Sequence, residues 1–107
     1  MTTFDKREQG FENKFAHEET KRFRAVARRN KLLGLWAAEL MGLSGEAAAA
    51  YALTVVQADF EEAGDDDVFR KVKADLADKS VAQSDHQIRR TMDELLATAI
   101  QQIETEA

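Results

Sequence analysis

SDHQIRRTMDELLATAIQQI, residues 84–103, marks the start of a helix at its first residue and holds the helical period for about five turns. Ser84 and Gln87 are spaced for a capping box, in which each side chain accepts the other residue's backbone N–H. Ile88, Met92, Leu95, Leu96, Ala99 and Ile103 then follow at the spacing that lines one face of a helix. A single helix with one apolar stripe gains little stability alone, so the stripe predicts partner helices.

Working back along the chain, three more segments supply them. Residues 66–79 open on Asp65, Asp66 and Asp67, where carboxylates meet exposed amides and the positive end of the helix dipole. Val68, Phe69, Val72 and Leu76 form the apolar side of that segment. Residues 45–63 place Ala49, Ala52, Leu53, Val56, Phe60 and Ala63 on one face, with Gly64 as the stop. Residues 18–41 place Phe23, Val26, Leu33, Ala37, Leu40 and Met41 together, with Gly34 letting another backbone approach and Gly42 as a C-terminal stop. Trp36 is the only tryptophan and lies in LLGLWAAELMGL, a run apolar on nearly every side, which predicts a place in the core, with a partly exposed partner contact as the functional alternative. The chain has no proline and five glycines, and short connections favour antiparallel neighbours. The fold class is all-α, a four-helix bundle.

Charge divides the chain more sharply than its net −5 suggests. Residues 1–31 have a balance of +4, and residues 32–107 a balance of −9. The basic run KRFRAVARRNK raises the question of nucleic acid, but the acidic body would repel a phosphate backbone. On a helix these cations form the wet side, and Arg28 and Arg29 are the candidates for a small anion such as an adenine nucleotide. The alternative function is therefore a small helical nucleotide-binding sensor.

Catalytic and metal-binding patterns are missing. There is no cysteine, and His17 and His86 stand 69 positions apart, outside any H-E-x-x-H pattern. Both read as exposed residues near helix ends. DFEEAGDDD, residues 59–67, lacks the alternating ligands of an EF-hand loop and reads as one helix end followed by a helix start. No phosphate-binding loop or nucleophile elbow is present, so no enzyme, metal or cofactor is expected. No stretch has the roughly 18 apolar residues of a membrane span, and the polar start is unlike a secretory signal. The chain reads as cytoplasmic and as a monomer when free.

Residues 1–17 stand apart from the bundle of residues 18–107. Only Met1, Phe4, Phe11, Phe15 and Ala16 among them are apolar. In FDKREQGFENKFAHEE, residues 4–19, Phe11 follows Phe4 by seven positions and Phe15 follows it by eleven, offsets that return to one side of a helix. A narrow aromatic stripe among charges is poor core material. Gly10 costs a helix about 1 kcal/mol relative to alanine, so this segment is expected to be mobile and at most partly helical when alone.

MTTFDKRE, FENKFAHEE, RRNKLLGLWAAELMG and DFEEAGDDDVFRKV resemble, in order along the chain, the zeta subunit of alphaproteobacterial F-type ATP synthases. The resemblance is densest over residues 1–43 and 58–73. It implies a small four-helix protein, peripheral on the membrane-bound enzyme, that blocks the ATP-hydrolysing direction. It further implies that residues 2–19 are the inhibitory element, becoming helical when wedged between alpha and beta subunits near the rotating gamma subunit. The spacing itself nominates Phe4, Phe11 and Phe15 as apolar anchors, with Asp5, Arg7 and Lys14 as the candidate charged contacts.

Overall fold

The computed structural model describes the backbone over residues 3–59 and 65–106, and side chains from residue 20 onward. Four helices follow in order: α1 (Thr3–Leu40), α2 (Gly45–Ala58), α3 (Asp66–Asp78) and α4 (Asp85–Glu106). No strand occurs among the described residues. α1 is the axis of the molecule. α2 and α4 pack along it, and α3 bridges them at the end where α1 finishes.

The termini of the helices follow from local chemistry. The capping box forms as expected: the Ser84 N–H donates to Gln87 Oε1 at 2.9 Å, and the Gln87 N–H donates to Ser84 Oγ at 3.1 Å. α1 ends in a Schellman motif. Gly42 has φ +80°, its N–H donates to the Glu39 carbonyl, and the Leu43 N–H donates to the Ala38 carbonyl at 2.8 Å. α3 ends the same way on Ser80, at φ 59°, with the Val81 N–H on the Leu76 carbonyl at 2.8 Å. Nothing in the sequence marks that second stop, because serine rather than glycine takes the left-handed position.

The main core joins Leu33 and Ala37 of α1, Val55 of α2, Val68, Phe69, Val72 and Leu76 of α3, and Ile88 and Met92 of α4. Trp36, Met41, Tyr51, Val81 and Leu95 pack around it. The α3 face is therefore the one the sequence predicts, and so is most of the α4 face, where Ala99 and Ile103 are also buried.

α1 and α2 differ from expectation in phase. α1 buries Ala25, Leu33, Ala37 and Ala38 with Arg29 and Asn30, whereas Phe23 is 66 % exposed and Leu40 is also exposed. α2 buries Ala48, Ala52, Val55 and Ala58, leaving Leu53 exposed. The reason is close approach. A Cβ built on Gly34 would stand 2.6 Å from Ala52 Cα, so the α1–α2 seam selects small side chains and turns the larger ones outward. The function the sequence assigned to Gly34 is thus realised, while the flanking faces rotate to serve it.

α2 ends at Ala58, short of the expected residue 63, and Phe60, Ala63 and Gly64 lie outside the described residues. α1 begins at Thr3 rather than near residue 18 and passes through Gly10 as helix. Extending an existing helix costs far less than nucleating one, and no proline intervenes. The expected mobility of residues 1–17 and their anchor side chains fall outside the described side chains.

Candidate partner-binding surface

Residues 20–31 contain six Lys/Arg and no Asp/Glu, the strongest cationic bias in the chain. α1 sets these cations in several directions, and the structure separates them by use. Arg29 lies four residues before Leu33 and eight before Ala37, which puts it on the buried face. It is 1 % exposed, and its Nε donates to Asn30 Oδ1 at 2.8 Å while its Nη2 meets Asp65 Oδ1 at 2.7 Å. This register was visible in the sequence, although its charge argued for the wet side. The Nδ2 of Asn30 is buried without a hydrogen-bond partner among the described residues.

Arg28 points to the other side and clamps the end of α4. It donates to Gln102 Oε1 at 2.9 Å and pairs with Glu106 at 2.8 Å. The Glu106 carboxyl is held below its ordinary range, mainly by this hydrogen bond and then by the positive charges of Arg28 and Arg24. The same bond raises Arg28. Arg28 and Arg29 therefore do not converge, and an anion at either one would have to displace a carboxylate already seated there.

The three aspartates that close the acidic run are likewise absorbed by the fold. Asp65 takes Arg29 of α1, Asp66 takes Arg89 of α4 at 2.8 Å, and Asp67 takes Arg70 of its own helix. Arg89 also lies 4.0 Å from the centroid of the Phe69 ring. Its hydrogen bond to Asp66 is the main cause that lowers that carboxyl. Among the described residues no group of His, Asp and Glu could hold a metal ion. His86 is exposed in the first turn of α4, as expected.

Lys21, Arg22 and Lys31 have no ion pair among the described residues. They surround apolar surface. Between α1 and α4 a groove of about 500 Å³ is floored by Val26, Leu96, Ile100 and Ile103, with Lys21, Arg22 and Glu104 beside them. On the opposite flank of α1, Phe23 lines a shallower hollow with Arg24, Lys31 and Val56. Sequence reasoning assigned Phe23 and Val26 to the core, and the structure instead places them where α1 leaves its neighbours. Of the predicted contact residues, Phe4, Asp5, Arg7, Phe11, Lys14 and Phe15 lie on the N-terminal part of α1, outside the described side chains.

No described helix is long and apolar enough to cross a membrane. A family model described as ATPase inhibitor subunit zeta matches residues 1–102. Four solved chains match as well. One of them, a protein solved by solution NMR, is 50 % identical, covers 79 % of this chain and 96 % of its own, and superposes with a TM-score of 0.71. No curated protein matches.

Proposed function

The chain belongs to the ATPase inhibitor zeta-subunit family, and from this membership we propose that it stops ATP hydrolysis by inserting its N-terminal segment, as a helix, into an alpha/beta catalytic interface near gamma. The observation that carries this reading is the continuity of α1. It is a single helix from Thr3 to Leu40, yet the last turn of α4 is clamped at Arg28 and the first buried side chain of α1 among the described residues is Ala25. On this reading the bundle grips one half of the helix and presents the other.

Energetics favour this division of labour. Burying three phenylalanines contributes roughly 1.5–3 kcal/mol each. Ordering about fifteen residues costs about 1–2 kcal/mol apiece. Aromatic burial alone cannot fold the segment, so backbone hydrogen bonds, cleft walls and the charges of Asp5, Arg7 and Lys14 supply the rest. The bundle contributes a nucleus. With a nucleation parameter of about 10⁻³, starting from a turn already formed at residue 20 saves about 4 kcal/mol over an isolated peptide. A helix wedged in a catalytic interface then blocks the closure and rotation that turnover needs, which makes this a regulatory subunit rather than a catalyst.

The test is ATP hydrolysis by the cognate F-type ATP synthase, with and without the added protein. Hydrolysis should fall as the chain approaches one copy per enzyme. Unchanged hydrolysis at a large excess would overturn the reading.

A further inference from the structure

The end of the bundle from which α1 projects is apolar with an excess of cations, the groove between α1 and α4 being lined by Lys21 and Arg22 against the single carboxylate Glu104. Phe23 is 66 % exposed and Ile100 is 43 % exposed on opposite flanks of α1, and Lys21, Arg22 and Lys31 stand around them without ion pairs among the described residues. Packing does not call for this. Two other cations of α1 are spent on carboxylates: Arg28 on Glu106 and Arg29 on Asp65.

Resting on the tail reading above, we propose that this collar is a second contact with the same enzyme. It would seat on the mouth of the cleft that receives the tail, a protein surface with acidic side chains around an apolar centre. Two features select that occupant. The first is reach. α1 is one helix, so a partner that grips residues 3–17 brings the collar at residues 20–31 close to its own rim, at about 1.5 Å per residue. The second is phase. Val26 follows Phe15 by eleven positions, as Phe15 follows Phe4, so the groove floor continues the aromatic stripe along the same side of the helix. Charge sets the sign of the partner, since unpaired cations favour an acidic rim. A phosphate backbone is disfavoured by the −9 balance of residues 32–107.

The experiment measures inhibition of ATP hydrolysis by full-length Phe23→Glu and Ile100→Glu, with Thr98→Glu as a control that adds the same charge to another side of α4. Phe23 and Ile100 lie on different helices and both are exposed, and circular dichroism melting checks that each variant folds. Each should weaken inhibition about tenfold or more with melting unchanged, while Thr98→Glu inhibits like the parent. Raising salt should weaken the parent and should weaken a Lys21→Gln, Arg22→Gln variant less. Folded Phe23→Glu and Ile100→Glu variants that inhibit as well as the parent would overturn the collar. A chain lacking residues 1–17 separates the two ideas: if it loses inhibition while the collar variants keep it, the collar alone falls. If it inhibits fully, the tail reading falls.

Discussion

Residues 20–40 of α1 place alanine and glycine on the face that α2 and α4 cover, whereas residues 3–19 of the same helix place three phenylalanines and only one other apolar residue, Ala16. The first half is shaped by how near another backbone must come. Gly34 meets Ala52 at a separation that leaves no room for a methyl group, and Ala25, Ala37 and Ala38 are buried on the same half. The sequence of the second half has few small residues. Its apolar content suits a partner that brings its own pocket. On the proposed reading, one continuous helix serves as bundle core over one stretch and as ligand over the other, with the change near residue 20.

Substitutions that distinguish the halves should show the largest effect at the seam. Gly34→Val forces α1 and α2 apart and should destabilise the fold by about 3 kcal/mol, at the upper end of overpacking costs. In a domain of this size that lowers the melting temperature by roughly 10–20 °C. Inhibition by the fraction that remains folded should be normal. A melting temperature within a degree of the parent would mean that the seam is looser than its geometry requires.

In the projecting half the effect should move from stability to binding. Phe11→Ala and Phe15→Ala should each weaken inhibition by about 2 kcal/mol, roughly thirtyfold, as expected of aromatic hot spots. Melting should not change. Asn13→Ala, on the opposite side of the helix, should have little effect. Equal losses at all three positions would argue against a single helical face.

Gly10→Ala gives the smallest and most discriminating change. It favours helix by about 1 kcal/mol and should tighten inhibition by up to about fivefold if the bound tail is helical through residue 10. A marked loss would show that Gly10 adopts a conformation closed to alanine, and the picture of one rod would have to be abandoned.

Much of this was legible in the sequence, and the misses have a common cause. α3 and α4 carry large apolar residues at regular spacing, and α4 adds a capping box, so their existence and buried faces could be read directly. In α1 and α2 the packing is set by backbone approach, which rewards small residues and leaves Phe23 and Leu53 outside. Hydrophobicity alone pointed to the wrong side. Arg29 sits in register with Leu33 and Ala37, but its charge argued against burial until Asp65 and Asn30 came into view as its partners. The aromatic stripe is conspicuous among charges in the sequence, and its side chains lie outside the described ones.

The most direct measurement compares the full chain with one lacking residues 1–17, by thermal melting and by inhibition of ATP hydrolysis on the same preparations. Removing a segment that supplies none of the described core should leave the melting temperature within about 2 °C, less than the roughly 4–8 °C that 1 kcal/mol moves a domain of this size. Inhibition should be lost. A truncated bundle that melts as before and inhibits as strongly as the full chain would contradict the assignment of inhibition to the projecting half of α1.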